Sequence, residues 1–509
     1  MDMQGKPNIL YILADDLGYG DVSCLNPQGK LHTPNLDRLA GEGMAFTDAH
    51  ASSAVCTPSR YSILTGRYNW RSARKSGVGG GYAEPLIERG RLTVAQLLRQ
   101  QGYRTYCIGK WHLGLEFPPA LQPLQTAGPR QDTAGKLEVP PTCAGPIRRG
   151  PVDCGFDSFF GISASLDMPP YAYIQDDHFT QLPTRWSENK RQAGRGDWWR
   201  GGAAAPDFRH ETVLETLTQR VLDVMRQPSG RPYFIYFPLN APHTPILPSK
   251  EYQGKSGLGP YGDYVLMCDG MVGKLLEQID QSGQADHTIV VFASDNGCSP
   301  EADYPHLLAE GHNPSYLFRG MKSDIYEGGH RIPLLVRWPQ GIRAGQVCAQ
   351  MVCLTDFMAT VADLLGVPLP DDAAEDSVSN LPLWQGGQQP VRQTLVHHSI
   401  DGSFSIRSGN WKLELCPGSG GWSKPSYRDK STGLPPVQLY RLDGDLRESC
   451  NLQALCPDKV RWLRGLLLEQ IRSGRSTPGA PQNNTGPAVW DQYQAILDME
   501  VQEQPNPIE

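Results

Sequence analysis

The chain has 509 residues, with 47 lysines and arginines against 54 aspartates and glutamates, for a formal net charge of −7. No basic excess exists to neutralise phosphate backbones, which excludes a general nucleic-acid binder. With 39% apolar and 20% charged residues the chain can bury a core, which excludes charge-rich disorder.

In chain order, Met1–Gly5 is short and polar and lacks the apolar core of a signal. The chain is therefore either cytoplasmic or a mature form whose signal has been removed. Pro7–Ala14 (PNILYILA) is a near-continuous apolar run and predicts a strand buried on both faces, ending in Asp15 and Asp16. Thr33–Gly43 predicts a helix opened by Thr33 and Pro34, with Leu36, Leu39 and Ala40 on one face. Thr93–Gln101 predicts a second helix stopped by Gly102, and Tyr103–Ile108 a strand running into Gly109-Lys110-Trp111-His112. Pro232–Leu239 and Thr288–Ala293 are further buried strands, followed by Ala241-Pro242-His243 and by Ser294-Asp295-Asn296-Gly297. Alternating strands and helices predict an α/β fold, a large, mostly parallel sheet between helices, with reactive residues gathered at strand carboxyl ends.

Residues 115–205 are rich in Pro, Gly and Trp and read as a loop-rich insertion walling a pocket. Cys353–Gly366 is an amphipathic helix, and the loop that follows, roughly 367–390, marks a boundary between an N-terminal domain, 1–385, and a C-terminal one, 386–509. In the latter, Phe404–Arg407 and Trp411–Leu415 flank Ser408-Gly409-Asn410 as a hairpin. Val437–Leu442 is a strand and 457–472 a helix, and the tail after Ser473 is expected to be extended. This makes a small α+β unit on an antiparallel sheet. No uncharged apolar run of about 18 residues is present, so no spanning helix is expected.

The chemistry starts with acids. Asp15-Asp16 at one strand end and Asp295-Asn296 at another offer an all-oxygen ligand set, which suits Ca²⁺ or Mg²⁺ rather than Zn²⁺. In Val55–Gly66 (VCTPSRYSILTG), Cys56 precedes a helix expected to run over Ser59–Leu64 with Ser59 as its cap. A nucleophile at a helix N-terminus beside Arg60 suits a tetrahedral oxyanion.

That string, C-x-P-S-R followed by L-T-G, resembles the modification signature of the type I sulfatase family, within the alkaline phosphatase superfamily. It is matched by Cys56, Pro58, Ser59, Arg60, Leu64, Thr65 and Gly66. The family's second signature is matched by Gly102, Tyr103, Thr105, Gly109, Lys110 and His112. The resemblance continues through Pro242-His243, Asp295-Asn296-Gly297, Lys322 and Tyr326-Glu327-Gly328-Gly329 into the C-terminal part. It implies that Cys56 is oxidised to formylglycine, the nucleophile as its hydrate, by a formylglycine-generating or anaerobic sulfatase-maturating enzyme. It implies Asp15, Asp16, Asp295 and Asn296 as ligands of one Ca²⁺, completed by residue 56. Arg60, Lys110 and Lys322 become three cations around the transition state. His243, with a lysine, protonates the leaving oxygen, and His112 is the base for sulfate elimination. Ser165 aligns with a sulfate-contacting serine.

For the rest of the substrate, His312 is expected at the pocket rim, and Trp186, Trp198, Trp199, Tyr171, Tyr173, Trp411 and Trp422 are candidate walls. The texture resembles the arylsulfatase A and galactosamine-sulfatase branch, implying an exo-acting enzyme on sulfated galactose or N-acetylgalactosamine, with small sulfate esters as side substrates. Neither nucleic acid nor a membrane is expected as partner, and a periplasmic or secreted location is expected. The alternative is a phosphonate monoester hydrolase or phosphodiesterase of the same superfamily. Those enzymes carry an Asp-His pair where this chain has Asp295-Asn296. Of the twelve cysteines none forms a C-x-x-C pair. Modification of Cys56 leaves an odd eleven, and a Cys143–Cys154 bridge would favour export.

Overall fold

The computed structural model describes residues 5–121, 144–189, 196–227, 229–426, 428–429 and 433–502. Ten strands form one sheet: β1 (Asn8–Asp15), β2 (Met44–Phe46), β3 (Arg104–Lys110), β4 (Ser158–Ile162), β5 (Ile174–Gln175), β6 (His178–Phe179), β7 (Tyr233–Pro242), β8 (Thr288–Ser294), β9 (Leu334–Arg337) and β10 (Gln346–Cys348). Their spatial order is β10-β2-β9-β8-β1-β7-β3-β4-β5-β6. The centre, from β8 to β4, is parallel, and antiparallel pairs flank it.

Helices cover both faces, which is why the central strands are apolar throughout. Leu10, Ile12 and Ala14 of β1 join the core beneath α1 (Pro34–Gly41) on one face. Ile9, Tyr11 and Leu13 join the core beneath α2 (Cys56–Thr65) and α3 (Val94–Gln100) on the other. The first face is completed by α4 (Val213–Arg226) and α5 (Gly259–Gln281), the second by α6 (Phe357–Leu365).

The sequence expectations differ from this structure at three places. Helix α2 begins at Cys56, with Val55 in the cap position, and not at Ser59. Pro58 falls in the first turn, where its missing N–H costs nothing. The Ser59 hydroxyl instead donates to the carbonyls of Ser53 and Val55, both at 3.2 Å. The insertion contributes β4 to the parallel centre of the main sheet, a strand of 5 residues too short to show a periodicity of its own.

The C-terminal sheet holds β11 (Thr394–His398), β12 (Phe404–Ser408), β13 (Trp411–Glu414) and β14 (Gln438–Arg441), antiparallel in that order. It packs on α7 (Pro457–Ser473) through Leu463, Leu467 and Ile471, and Tyr68 and Trp70 enter the same core. The tail is not extended throughout: Asp491–Gln502 form α8. Trp490, Tyr493 and Ile496 carry an i, i+3, i+6 stripe into that core, and burying these side chains outweighs the weak local propensity of the segment. Eleven described cysteines are unpaired. Cys143 lies outside the described residues. No helix among them is long and apolar enough to cross a membrane.

Candidate active site

The register of the parallel strands gathers the reactive residues. Ala14 of β1 pairs with Ser294 of β8, and Asp15 with Pro242 of β7, so Asp15-Asp16, His243 and Asp295-Asn296 leave the sheet at one level. Asp16 has a left-handed backbone, φ 67°, a conformation kept at sites where the surroundings demand it. Beside them β3 delivers Lys110 and His112. Gly109 in β3 lies where a Cβ would meet the Pro238 carbonyl oxygen at 2.0 Å, so only glycine lets these strands approach. Helix α2 points its N-terminal turn, with Cys56, into the same place. Lys322 is fixed there by its N–H to the Cys298 carbonyl, at 2.9 Å, and by Ser323 N–H to the Ala54 carbonyl, at 2.8 Å.

Charges alternate in this cluster. Lys110 Nζ lies 2.6 Å from Asp15 Oδ2, and Lys322 Nζ 2.6 Å from Asp16 Oδ2. Arg60, fully buried, places Nε 2.9 Å and Nη2 2.8 Å from Asp295 Oδ2, and Nη1 donates to the Lys110 carbonyl at 2.9 Å. Asn296 Nδ2 donates to Asp16 Oδ1 at 2.8 Å, and His243 Nε2 stands 3.6 Å from Asp16 Oδ2. Burial pushes Asp295 up to about 7, with Asp15 and Asp16 adding to it against Arg60. Burial also opposes ionisation of Asp15, but Lys110, His243 and Arg60 outweigh it and hold that carboxyl well below its ordinary range.

Two acceptors lack a hydrogen bond: Asn296 Oδ1 is buried without a partner, and Asp15 Oδ1 has only Arg60 Nη2 at an ion-pair distance of 3.5 Å. Such an orphan costs about 1–3 kcal/mol unless something satisfies it. Ligand atoms of Asp15, Cys56 and Asp295 lie within 4.8 Å of one another, as do those of Asp15, Asp16 and His243. An oxygen-dominated donor set with orphaned acceptors fits a hard divalent cation.

The cluster meets a cavity of about 380 Å³ through Lys322 and His243. Cys56, His112, Ser165, His243 and Lys322 line it. Burial pushes the Cys56 thiol up to about 11 despite Lys110 and Lys322, so as a thiol it is protonated at neutral pH and a weak nucleophile. His112 Nε2 faces the Gly79 carbonyl at 2.7 Å, which assigns the proton to that nitrogen, while buried Nδ1 has no partner. Burial, with Lys110 and Arg60, holds His112 well below its ordinary range and therefore neutral. Ser165 Oγ is also without a partner. A larger cavity of about 520 Å³, around Arg89, Arg148 and Cys154, holds none of this reactive set.

Not every expected residue arrives here. His312 is sealed at 0% exposure, with Nε2 at 2.9 Å from Asp21 Oδ1 and Nδ1 accepting from Lys30 N–H, so it holds a loop and does not line the cavity. Tyr171 and Tyr173 are core residues, and Trp199 stacks on His210. Trp411 packs against the C-terminal core. Trp186 is absent from the cavity wall, whereas Trp198 and Trp422 stand in it. Sequence reasoning missed Asp167, Arg200 and Glu301. Arg200 pairs with Asp167, and Trp198 Nε1 donates to Glu301 Oε2 at 3.1 Å. Asp167 Oδ1 is left without a partner at the wall. These are ordinary loop charges, and no spacing in the sequence sets them apart.

Comparison with known proteins agrees with this geometry. The sulfatase family profile matches residues 7–367. The N-acetylgalactosamine-6-O-sulfatase of Bacteroides thetaiotaomicron is 32% identical over 499 residues, covering 91% of this chain and 92% of that protein. Human arylsulfatase A is 32% identical over 468 residues, covering 88% of this chain and 83% of its own. A solved structure described with the metabolism of multiple glycosaminoglycans by B. thetaiotaomicron is 31% identical, with a TM-score of 0.77, covering 91% of this chain and 99% of that one. The phosphonate monoester hydrolase of Agrobacterium radiobacter, at 18% identity and a TM-score of 0.57, shares the fold, covering 91% of this chain and 95% of its own. With its profile match spanning most of the chain and relatives aligned almost end to end, the protein belongs to the sulfatase family and is a sulfuric ester hydrolase.

Proposed function

We propose that this sulfatase acts on a sulfated carbohydrate, removing sulfate from a terminal galactose or N-acetylgalactosamine residue. The observation that carries the reading is the cavity over Cys56. At about 380 Å³ it is near the small end of ligand pockets, roughly 300–1,000 Å³, which suits one sugar ring with its sulfate. Lys322 lines it beside Cys56, and Trp198, Trp422, Arg200, Glu301 and the partnerless Asp167 oxygen line its wall, a mixture that suits a ring with hydroxyls. The similarity to a galactosamine sulfatase supports the same sugar class.

Asp15, Asp16, Asp295 and Asn296, with residue 56, would hold a calcium ion, which supplies positive charge against the sulfate oxygens. Oxidised to formylglycine by a maturation enzyme, residue 56 supplies as its hydrate an oxygen nucleophile toward sulfur, a role the buried thiol is unfit for. The remaining chemistry belongs to this chain's side chains. Arg60, Lys110 and Lys322 form a fixed positive frame for the sulfuryl group as its S–O bond to the sugar breaks. His243 donates Nδ1–H to the Thr244 carbonyl at 2.6 Å, so the proton for the leaving oxygen comes from Nε2–H of the imidazolium form or from Lys322 Nζ. His112 Nδ1 is the acceptor for the proton released beside residue 56. Ser165 Oγ is a free donor for a sulfate oxygen.

The test is a panel of sulfated monosaccharides and disaccharides, with an aryl sulfate and a phenyl phosphonate beside them. Desulfation of a 6-O- or 4-O-sulfated galactosamine or galactose is expected. A preference for the phosphonate, or for internal over terminal residues, overturns the reading. Mass spectrometry of the Cys56 peptide checks maturation, which lowers its mass by about 18 Da.

A further inference from the structure

The strap formed by residues 416–426, which follows β13, contains Gly418, Ser419, Gly420 and Gly421 and by composition would be loose. It is instead tied at its tip. Trp422 N–H is shared between Ser323 Oγ and Asp324 Oδ1, both at 2.9 Å, and Ser423 N–H reaches the same carboxylate oxygen at 3.1 Å. The Ser423 hydroxyl donates to the other oxygen, which also accepts Met321 N–H at 3.0 Å. Ile325 N–H donates to the Ser419 carbonyl at 2.7 Å. A Cβ on Gly421 would lie 2.5 Å from Asp324 Oδ1 and from the Ser323 carbonyl oxygen, so the strap lies flat on the segment that carries Lys322.

Asp324 is fully buried, whereas the Trp422 indole is 39% exposed and lines the cavity above Cys56. An exposed indole on a fixed backbone is a pre-organised contact, because binding to it orders little chain. Its flat apolar face suits the C–H face of a pyranose.

We propose that Asp324 is a positioning residue that latches the strap to the Lys322 segment, so that Trp422 stands as a stacking wall for the sugar on the leaving side of the sulfate ester. This rests on the carbohydrate reading above and extends it: sulfate recognition at Lys322 and sugar recognition at Trp422 are joined through one carboxylate. Asp324 itself touches no substrate and acts through Trp422.

Steady-state kinetics of the mature enzyme test it, using 6-O-sulfated N-acetylgalactosamine and 4-nitrophenyl sulfate as substrates and inorganic sulfate as competitive inhibitor. Trp422→Ala and Asp324→Asn are each expected to raise KM for the sugar sulfate by about tenfold, with the loss in KM rather than kcat. Trp422→Phe restores most of it. The inhibition constant of sulfate stays within about twofold, and the double variant is no worse than Trp422→Ala alone, since the two act in series. Hydrogen exchange of the 419–423 amides rises in Asp324→Asn and not in Trp422→Ala. The latch is overturned if sulfate inhibition weakens together with KM in Asp324→Asn, if the two losses add, or if Trp422→Ala leaves KM unchanged. If the wild type cleaves only the aryl ester, the sugar reading fails, and the same KM and exchange pattern on that ester decides the latch by itself.

Discussion

Of the buried charge clusters among the described residues, one meets the cavity over Cys56, and another of similar charge and burial does not. The first, Asp15, Asp16, Asp295, Arg60, Lys110 and Lys322, reaches the cavity through Lys322. The second joins the 44–50 segment and the Glu327–His330 turn to the C-terminal sheet. There Lys412 Nζ lies 2.6 Å from Glu448 and 3.2 Å from both Glu327 and Glu414, and Arg407 Nη2 lies 2.7 Å from Asp48. His50 and His330 approach at 3.1 Å, and His330 stacks on His397 with ring centres 3.7 Å apart. Three imidazoles beside carboxylates carry ligand chemistry. Yet His50 Nε2 already faces Asp48 and Arg407, and His330 Nε2 faces Lys412, so cations fill the space an ion would need. Burial and charge are shared by both clusters. What distinguishes the first is that it meets the cavity, through Lys322 and the adjoining Cys56 and His243; buried oxygens without a hydrogen bond occur in both, Asn296 Oδ1 in the first and Glu327 Oε1 and both Glu414 oxygens in the second. The closed cluster ties the C-terminal sheet to the Glu327 turn and the 44–50 segment, and the open one borders space that a ligand can enter.

The strongest way to break this contrast is Cys56→Ala, expected to cost about 10³-fold or more in kcat/KM with the thermal transition kept. Substantial residual hydrolysis would remove the open cluster from the chemistry. Next is Lys412→Met, which strands Glu327 and Glu448 and is expected to cost about 3–5 kcal/mol of stability by denaturant titration. Per folded molecule, kcat/KM stays within about threefold; a larger loss would make the closed cluster part of catalysis. Third, chelation should lower Tm, and calcium at a hundredfold excess over its Kd should restore about 3 kcal/mol. Asp15→Asn blunts that shift and Lys412→Met keeps it; an equal shift in both would deny the open cluster its cation.

The smallest effect is on pH. Burial holds His398 at about 4, and holds His50, His330 and His397 below their ordinary range. Unfolded imidazoles titrate near about 6.5, so between there and 4 the unfolded chain binds more protons. Stability is thus full above about 6.5 and is lost as pH falls through that window, by about 2 kcal/mol at pH 5 for His398 alone. A Tm independent of pH between 7 and 5 would contradict it, and His398→Asn should flatten the slope.

Much of the candidate site was legible in the chain. Asp15, Lys110, His243 and Asp295 each follow an apolar run, and a parallel sheet brings carboxyl ends together whatever the loops between them do. Ser59 misled because Ser before a helical run reads as a cap, whereas Pro58 already sits inside the first turn. His312 misled because proximity in sequence to Lys322 says nothing about direction, and Asp21, nearly three hundred residues away, is what claims it. The Asp324 latch was invisible for the same reason: its partners, 98 and 99 residues on, are main-chain amides.

By itself, then, the sequence determined the strands β1, β3, β7 and β8 and the reactive residues that follow them, because apolar periodicity and short-range turn residues are local physics. Tertiary structure alone decided which acceptors stay unsatisfied, which buried cluster opens to a cavity, and which tryptophans, Trp198 and Trp422, wall it. Those outcomes depend on pairs of groups brought together from opposite ends of the chain, and desolvation acts on the pair, not on either residue alone.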